Sequence, residues 1–251
     1  MLAVRETQAK SILNTSKVFD YCVNVYTGCQ HDCKYCYARL FMRRYSGHTE
    51  PWGEFVDVKI NAPELLRKQL QKAKRGAVWV SSVCDPYQPL EARYNLTRQC
   101  LEELLKVQFP VNIQTKSKLV VRDLDLFLRF EEMAVTMTIA TDREDMARLF
   151  ETRASSVKDR LEALKQLHSA GIHTAVFIGP ILPGNPEKLV AKLDGTVDRV
   201  LIDKMNYMST IRGFYKKHNL EYATTMRYFY DYKTRLLKEL QKRGIPTEGI
   251  F

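Results

Sequence analysis

Three cysteines in one short segment are the residues with the most evident chemistry. Cys29, Cys33 and Cys36 form a C-x3-C-x2-C run in a loop that begins at Gly28. Because a loop that begins with glycine can curl its backbone, three thiolates this close in sequence can converge on one metal centre. The remaining cysteines are scattered along the chain: Cys22, Cys84 and Cys100. This spacing is not that of a disulfide framework, so the run indicates metal ligands or catalytic groups.

Two kinds of metal centre compete for these thiols. Structural zinc usually takes four ligands, often as paired C-x2-C units, and no second pair follows in the sequence. His31 can supply a fourth ligand only from a cramped position between the first two cysteines. A 4Fe–4S cluster has four irons, so three cysteines leave one iron open to an exogenous ligand. The spacing therefore favours an iron–sulfur cluster over zinc, and both over three unrelated buried thiols.

Apolar segments predict the elements that hold this loop. Six near-continuous apolar runs predict strands of a parallel sheet covered on both faces: residues 23–26, 77–83, 111–115, 134–140, 173–181 and 199–204. Five segments between them have helical patterns: residues 62–74, 97–107, 123–130, 157–170 and 186–193. We expect Asn61 to cap the first of these helices and Ser156 to cap the fourth.

Strands that alternate with helices, without a linker or a repeat, predict one α/β domain over residues 1–251. Six β/α units are too few for a closed barrel, so we expect an incomplete (β/α)6 barrel with terminal helical extensions. Its core would cover about residues 20–205, and its C-terminal helical extension about residues 206–251. Functional groups gather at the carboxyl ends of barrel strands. The candidates that follow predicted strands are residues 29–36, Cys84, Lys116, Thr138 or Thr141, and residues 180–185.

The charge of the chain is concentrated at its two ends. The 251 residues carry 39 Lys and Arg against 29 Asp and Glu, a formal charge of +10. Residues 1–75 and 201–251 hold the surplus, whereas the middle is almost neutral. This favours either an anionic partner or an ordinary solvated basic surface. No apolar run is long enough to span a membrane and no apolar signal segment opens the chain, so we expect a cytoplasmic protein.

Four parts of the sequence carry a resemblance to a known family. They are residues 24–39, residues 84–91, residues 115–117 with 122–123, and residues 179–184. In these parts the chain resembles the radical S-adenosylmethionine (SAM) superfamily, and within it the group related to spore photoproduct lyase, often labelled DNA repair photolyases. The cysteine run is highly specific for the superfamily, and the later parts are moderately specific for the group.

The resemblance implies an iron–sulfur enzyme. A 4Fe–4S cluster would be held by Cys29, Cys33 and Cys36, and SAM would bind the open iron through its amino and carboxylate groups. One electron, from a donor such as flavodoxin or ferredoxin, would cleave SAM into methionine and a 5′-deoxyadenosyl radical, which abstracts hydrogen from the substrate. A dry barrel interior protects such a radical from quenching.

The resemblance also assigns positions around SAM: Tyr35, Lys116, Thr138 or Thr141, Gly179 and Pro180. Lys116 matches the lysine that pairs with the SAM carboxylate, and Tyr35 matches the aromatic side chain near the adenine. Thr138, or Thr141 in its place, would contact the ribose or the carboxylate. Residues 151–153 either support this pocket or form an ordinary ion pair beside a helix.

Cys84 has the most specific expected role. In the spore photoproduct lyase group a cysteine after the second strand returns a hydrogen atom to the product radical, and tyrosines beside the last cluster cysteine help to regenerate SAM. Cys84, Tyr35 and Tyr37 match these positions. An S–H bond is weak enough to donate hydrogen to a carbon radical. The alternative is a small buried thiol without a function.

Two further segments have both a binding and a structural interpretation. Asp85, Tyr87 and Gln88 either contact substrate at the barrel mouth or form a rim that two prolines stiffen. Residues 227–235 interleave aromatic and basic side chains. That pattern suits either base stacking with phosphate binding or an amphipathic helix packed on the barrel.

Three functions fit these observations. The first is a radical SAM enzyme that acts on DNA or another nucleic acid, for example a carbon–carbon lyase for a thymine lesion. The second keeps the radical chemistry but acts on a nucleotide, a metabolite or a protein. The third is a metal-containing protein that binds nucleic acid without catalysis.

Overall fold

The computed structural model describes residues 2–249, without the side chains of Arg43 and Arg44. Its strands are β1 (Ala3–Thr7), β2 (Leu13–Thr15), β3 (Tyr21–Val23), β4 (Tyr26–Thr27), β5 (Phe55–Lys59), β6 (Val78–Val80), β7 (Val111–Thr115), β8 (Met133–Thr138), β9 (His173–Ile178), β10 (Arg199–Ile202) and β11 (Thr247–Gly249). Its α-helices are α1 (Met42–Ser46), α2 (Ala62–Leu70), α3 (Glu91–Tyr94), α4 (Leu96–Lys106), α5 (Leu124–Phe127), α6 (Glu144–Phe150), α7 (Val157–Ser169), α8 (Pro186–Ala191), α9 (Met208–Lys217) and α10 (Met226–Lys242). None of these helices is long and apolar enough to cross a membrane.

The main sheet has eight strands in the order β11-β10-β9-β8-β7-β6-β3-β2. In this sheet β3 and β6 to β11 run parallel to their neighbours. Strand β2 pairs antiparallel with β3 at the edge. Strands that follow one another in the chain lie side by side, with helices in the connections, as right-handed β/α units require. The predicted α/β architecture of an incomplete barrel is therefore confirmed.

All six predicted strands lie in this sheet, as β3 and β6 to β10, but the first boundary is wrong. The run of residues 23–26 is divided, since β3 ends at Val23 and β4 belongs to a second sheet. Asn24 is the point of division. Its Oδ1 accepts hydrogen bonds from the N–H groups of Ser82 and Val83 at 2.8 and 3.0 Å, which ties the end of β3 to the loop after β6.

The chain ends differ from the predicted helical extensions. The amino-terminal part forms strands, and β1 and β5 pair in parallel within a small sheet of order β1-β5-β4. The carboxyl-terminal part contains the expected helices α9 and α10, but it ends in β11, a seventh parallel strand beside β10. The three residues of β11 contain no large apolar side chain, so no strand pattern marks them in the sequence.

The two predicted helix caps have different outcomes. Ser156 caps α7, because its Oγ accepts a hydrogen bond from the Asp159 N–H at 3.0 Å. Asn61 does not cap α2. Its amide instead binds the backbone of Ala9, accepting from the N–H at 2.8 Å and donating to the carbonyl at 2.9 Å. The Asn61 side chain, which the local pattern predicts as a helix cap, therefore binds the amino-terminal segment instead.

The core lies mainly on one face of the parallel strands, where buried side chains alternate with half-buried ones, so the expectation of a sheet covered equally on both faces is wrong. Fully or almost fully buried side chains from successive strands are Val78, Val80, Val111, Ile113, Val135, Met137, Val176, Ile178, Val200 and Ile202. Each such side chain contributes about 1.5–3 kcal/mol when it is removed from water. This packing fixes the strands and so fixes the loops that follow them.

Candidate active site

A cavity of about 280 Å³ opens at the carboxyl ends of the parallel strands. Parallel strands bring their following loops to one end of the sheet, so residues far apart in sequence meet there. Ten of the residues that the sequence singles out line this cavity: Cys29, Cys33, Cys36, Tyr35, Tyr37, Cys84, Lys116, Thr138, Gly179 and Pro180. The fold therefore brings the candidate cofactor and catalytic positions to one place.

The cysteine loop depends on the glycine that opens it. Gly28 has a φ of +92°, and a Cβ at this position would lie 2.4 Å from the Phe55 carbonyl oxygen. Cys29 and Cys33 are each only 7% exposed, and burial raises the pKa of the Cys33 thiol to about 12. Burial likewise raises the pKa of Cys36. Three thiols whose ionised forms are this disfavoured by burial need a positive centre beside them to act as thiolates.

The donor set fits an iron–sulfur cluster. Within residues 2–249 no three His, Cys, Asp or Glu side chains are arranged so that together they could bind one metal ion. In a 4Fe–4S cluster each cysteine binds a different iron, so its sulfurs do not converge on one ion. Cys29, Cys33 and Cys36 line one cavity beside the Lys116 cation, which favours thiolate at Cys33. These three thiols could therefore hold such a cluster.

A segment after α6 supports the cysteine loop. Glu151 forms an antiparallel bridge with Cys33, and the Arg153 N–H donates to the His31 carbonyl at 3.2 Å. The Glu151 carboxylate is buried, accepts a hydrogen bond from the Tyr35 hydroxyl and forms an ion pair with Arg160. Burial alone would raise the pKa of Glu151, but the charges of Arg160 and Lys116 lower it. Glu151 thus supports the pocket, and the partner that the sequence does not reveal is Arg160.

Lys116 follows β7 and keeps its charge inside the cavity. Its Nζ lies 5.8 Å from the centroid of the Tyr35 ring. Burial would lower the pKa of Lys116, but the neighbouring Cys33, Glu151 and Asp85 raise it above its usual value. A retained ammonium group among these residues is suited to binding a carboxylate.

Asp85 joins the loops after β6 and β7. Its carboxylate accepts hydrogen bonds from the Thr115 hydroxyl at 2.7 Å, the Lys116 N–H at 2.8 Å and the Tyr87 N–H at 2.9 Å. His31 Nδ1 lies 3.3 Å from the same carboxylate. Burial would raise the pKa of Asp85, but His31 and these donors lower it to about 2. Asp85 lines the cavity, yet its oxygens are already engaged in holding its walls.

Tyr87 and Gln88 serve the rim rather than the cavity. Both are fully buried. The Tyr87 hydroxyl donates to Asp123 at 3.0 Å, and the Gln88 side chain accepts from the Gln30 N–H at 2.9 Å. The structural alternative therefore holds for these two residues, because neither presents a free polar group to a substrate.

The two candidate threonines have different positions. Thr138 is fully buried, lines the cavity and accepts a hydrogen bond from Gln114 Nε2 at 3.3 Å. The Thr141 hydroxyl donates to the Pro183 carbonyl at 2.8 Å, so it holds a loop. The geometry thus selects Thr138. Gln114 also lines the cavity, and its position at the end of β7 is a signal that the sequence offered.

Gly179 determines the shape of the cavity wall that it forms with Phe177. A Cβ at this position would lie 2.3 Å from the Phe177 ring, so only glycine lets that ring stand against the backbone. The following Pro180 is joined to it by a cis peptide bond. Both residues line the cavity with Phe177.

The Cys84 thiol contacts two oxygen atoms. Its Sγ lies 3.0 Å from Ser81 Oγ and donates to the Tyr26 carbonyl at 3.5 Å. Burial raises the pKa of Cys84 to about 11, so the thiol keeps its hydrogen at neutral pH. The Tyr37 hydroxyl donates to the Ser82 carbonyl, which brings this tyrosine to the loop that carries Cys84.

Two exposed tyrosines meet at the mouth of the cavity. The rings of Tyr37 and Tyr207 are stacked, with centroids 6.4 Å apart and planes at 19°. Tyr37 follows the cysteine loop, and Tyr207 follows β10, close to the other end of the parallel sheet. Sequence reasoning missed Tyr207, although an aromatic residue shortly after the sixth predicted strand was a signal for it.

The remaining candidates have structural positions. Cys100 is buried in α4, and Cys22 lies on β3. Residues 227–235 lie in α10, which buries Phe229 and Tyr232 on one face. The segment is therefore an amphipathic helix packed on the barrel, as the second interpretation states.

Comparisons with known proteins identify relatives of this chain. The family model of the radical SAM superfamily matches residues 23–194. An uncharacterized protein of Methanocaldococcus jannaschii, MJ0683, is 32% identical over 261 residues, which cover 99% of this chain and 97% of that protein. The uncharacterized protein Rv2578c of Mycobacterium tuberculosis is 31% identical over 72% of this chain and 57% of its own length. A radical SAM Nalpha-GlyT isomerase of Pseudomonas phage M6 is 25% identical over 62% of this chain and 32% of its own length.

Solved structures share the fold at low sequence identity. Spore photoproduct lyase complexed with dinucleoside spore photoproduct superposes with a TM-score of 0.70 and 13% identity, covering 99% of this chain and 82% of that chain. SuiB of Streptococcus suis bound to S-adenosylmethionine gives a TM-score of 0.59 and 11% identity, covering 92% of this chain and 50% of that chain. At these identities the likeness concerns the fold.

The family match extends over more than half of the chain and contains the cysteine loop. SAM and a 4Fe–4S cluster are the cofactors that this family implies, and the cavity offers them three thiols and a lysine cation. The chain therefore belongs to the radical SAM superfamily.

Proposed function

We propose that this enzyme abstracts a hydrogen atom from a lesion or modified base in nucleic acid and returns hydrogen from Cys84, in a carbon–carbon lyase reaction similar to that of spore photoproduct lyase. The observation that carries the proposal is the position of Cys84. Its thiol lines the same cavity as the three cysteines of the loop, and burial keeps it protonated. A protonated thiol that Ser81 and Tyr26 hold in position has hydrogen to give.

The cofactors would occupy the walls described above. Cys29, Cys33 and Cys36 would hold the 4Fe–4S cluster. When bound and reduced, by an electron from flavodoxin or ferredoxin, the cluster and SAM supply a 5′-deoxyadenosyl radical. Lys116 keeps its charge to bind the SAM carboxylate.

Other cavity residues would orient the cofactor. Thr138 offers a hydroxyl, the Tyr35 ring forms an aromatic wall, and Gly179 with Pro180 leaves room beside Phe177. The surrounding apolar strands exclude water, which protects a radical from quenching.

The hydrogen return uses one bond of this chain. The Cys84 S–H bond breaks, its hydrogen atom passes to the substrate carbon radical, and a thiyl radical stays at Sγ. A hydrogen atom from the hydroxyl of Tyr37 or Tyr35 then restores the thiol, and the oxygen radical left on the tyrosine would take a hydrogen atom from 5′-deoxyadenosine. Tyr37 is hydrogen-bonded to the Cys84 loop, and Tyr35 lies beside Lys116, so both are suited to pass the radical back toward SAM.

Two features support a nucleic-acid substrate. Among the proteins that share this fold, spore photoproduct lyase is complexed with dinucleoside spore photoproduct. The cavity mouth presents the exposed stacked rings of Tyr37 and Tyr207, and aromatic rings of this kind bind bases by stacking.

SAM cleavage by the reduced protein tests the proposal. After anaerobic purification we expect a brown protein with about four irons per chain. After reduction it should form 5′-deoxyadenosine, faster with a lesion-containing oligonucleotide than with an undamaged one. A colourless zinc protein that leaves SAM intact would contradict the proposal. Cys33→Ala should lose the cluster and the cleavage together, whereas Cys100→Ala, a buried thiol outside the cavity, should keep both.

Product analysis tests the hydrogen donor. With Cys84→Ala we expect the ratio of normal product to 5′-deoxyadenosine to fall, because the product radical is quenched by other donors. The control is again Cys100→Ala. An unchanged product and ratio in the Cys84 variant would leave the thiol as a structural residue only.

A further inference from the structure

A helix with an exposed basic face begins at the mouth of the cavity. Tyr207 directly precedes α9, which leads away from the carboxyl end of β10. The helix exposes Arg212, Lys216 and Lys217, and its sequence contains no acidic residue. Within the described part of the chain, these three side chains form no ion pair or hydrogen bond. Three cations without counter-charges are therefore available to a ligand.

The opposite face of α9 fixes this orientation. Ile211 and Tyr215 are buried, and the Tyr215 ring centroid lies 5.0 Å from that of Phe150. Phe214 makes an edge contact with the same ring at 5.2 Å. The Phe150 carbonyl in turn accepts a hydrogen bond of 2.8 Å from the Lys34 N–H in the cysteine loop. Because the helix is tied to that loop, its basic face is held beside the mouth.

The other side of the mouth is formed by the segment that follows the cysteine loop. Residues 33–49 contain four Lys or Arg residues and no Asp or Glu. Tyr37 in this segment is 38% exposed, and Tyr207 opposite is 47% exposed, although their rings are stacked on each other. Aromatic surface is thus presented to solvent at the entrance, beside the basic face of α9.

Gly213 leaves the backbone open in the middle of the basic face. A Cβ at this position would have no neighbouring heavy atom within 4 Å, and the backbone does not adopt a left-handed conformation. Glycine in a helix interior is less favourable than alanine, and packing gives no reason for it here. The gap between Arg212 and Lys216 allows another chain to approach the helix closely.

We propose that α9 binds the phosphate backbone of a single-stranded polynucleotide while one of its bases stacks at Tyr37 and Tyr207 and enters the cavity. This inference rests on the proposed function and specifies its substrate as a base within a strand, rather than a free nucleoside. Arg212 and Lys216 are one turn apart, about 6 Å along the helix axis, and the axial rise of an ideal helix from Tyr207 to their backbones is about 7 and 14 Å. A nucleoside without phosphates offers these cations no counter-charge, whereas the phosphates of a strand that leaves the mouth along α9 do. Basic grooves with aromatic platforms bind single strands in this way.

Binding of a short fluorescein-labelled single-stranded oligodeoxynucleotide, followed by anisotropy at several salt concentrations, tests the inference with the whole protein. The test variant combines Arg212→Gln, Lys216→Gln and Lys217→Gln. The matched control combines Arg67→Gln, Lys72→Gln and Lys165→Gln, which removes the same charge from exposed positions of the α2 segment and α7. The α2 segment leads to the amino end of β6, away from the cavity. Circular dichroism and thermal melting check that both variants fold.

We expect the α9 variant to bind about tenfold more weakly or worse at low salt. The slope of log K against log salt should become shallower by about 2, because each lost phosphate contact on a single strand accounts for about 0.7. The control should keep the wild-type slope. Tyr207→Ala should weaken binding about 5- to 150-fold, while Tyr207→Phe, which retains the ring, should not.

Several results would overturn the inference. An unchanged slope in the α9 variant would exclude phosphate contacts at this helix, and equal losses in both triple variants would show only unspecific attraction. If wild-type protein does not bind the oligonucleotide, but binds acidic flavodoxin through α9, the face belongs to the electron donor. Formation of 5′-deoxyadenosine without oligonucleotide is measured separately, so a failure of the proposed chemistry is distinguished from a failure of this surface.

Discussion

The Asp85 carboxylate, after β6, accepts a hydrogen bond of 2.8 Å from the backbone N–H of Lys116, after β7. The same carboxylate holds the Thr115 hydroxyl and lies 3.3 Å from His31 in the cysteine loop. One buried side chain therefore sets the position of Lys116 relative to the three thiols. The loops that carry the candidate cofactor residues are joined by side-chain contacts and not only by the strands below them.

The pH dependence of stability should report the ionised state of Asp85. The pKa of Asp85 is about 2 in the folded protein, against 3.8 for the free side chain. A lowered folded pKa stabilises the protein above the unfolded value, and this contribution is lost as the pH falls through the folded value. Between pH 5 and pH 2 the wild type should lose about 2 kcal/mol that Asp85→Asn does not lose.

Urea unfolding of the cluster-free protein measures this difference. Asp85→Asn should already be less stable at pH 7 by about 1–3 kcal/mol, because an amide group cannot accept all the hydrogen bonds that the carboxylate accepts. Asp231→Asn, on the exposed face of α10, serves as the control and should change stability by about 0.5 kcal/mol or less. If the free energies of unfolding of wild type and Asp85→Asn depended on pH in the same way, the Asp85 carboxylate would make no contribution to the pH dependence of stability.

Glu151→Ala should loosen the cysteine loop. The variant leaves the buried Arg160 charge without its partner and removes the acceptor of the Tyr35 hydroxyl. Breaking one side of a buried ion pair costs about 3–5 kcal/mol. The free energy of unfolding of the cluster-free protein should decrease, and so should the iron content after reconstitution.

An exposed ion pair provides the matched comparison for that variant. Asp145→Ala removes the partner of Arg143 at the surface, and such pairs contribute about 0–1 kcal/mol. If Glu151→Ala lowered the free energy of unfolding no more than Asp145→Ala does, the backbone pairing of Glu151 with Cys33 would not depend on the buried charges.

The parts of the site that follow local patterns were predictable from the sequence. Cys29, Cys33 and Cys36 are marked by spacing, and Cys84 and Lys116 by their places after apolar runs. These runs become neighbouring parallel strands with helices in the connections, so their carboxyl ends, and the residues after them, meet at one edge. The order of the six central strands follows from the same rule.

Contacts between distant segments were not predictable. The pairing of Glu151 with Arg160, and of Tyr37 with Tyr207, depends on how loops pack in three dimensions. The second sheet was missed because β5 contains the buried Asp57, which interrupts its apolar run and is paired with Arg5 from β1. A polar residue that is satisfied by a remote partner removes the periodic signal that identifies a buried strand.

Lys116→Met should weaken the binding of SAM to the cluster-loaded enzyme by about 10- to 150-fold, because hydrogen bonds to charged groups contribute about 1.5–3 kcal/mol. Equilibrium dialysis with radiolabelled SAM measures the dissociation constant. Lys118→Met is the matched control, since Lys118 lies two residues further along and is paired with Asp159 at the surface. Equal affinities of the two variants would exclude Lys116 as the partner of the SAM carboxylate.

Alanine at two glycines should have opposite effects on stability. At Gly179 a Cβ would lie 2.3 Å from the Phe177 ring, so Gly179→Ala must displace that ring into the cavity and should cost about 1–3 kcal/mol. At Gly213 a Cβ meets nothing within 4 Å, so Gly213→Ala should stabilise α9 by about 0.5–1 kcal/mol.

Chemical unfolding of the cluster-free variants gives both values, and the affinity for SAM adds a second measurement. Gly179→Ala should also weaken SAM binding, because Phe177 shares the wall of the cavity with Thr138 and Pro180. Gly213→Ala should leave that affinity unchanged, since no residue of α9 lines the cavity. A Gly179→Ala protein with wild-type stability and affinity would mean that the Phe177 ring has another position open to it, and that the wall formed by Gly179 does not define the cofactor site.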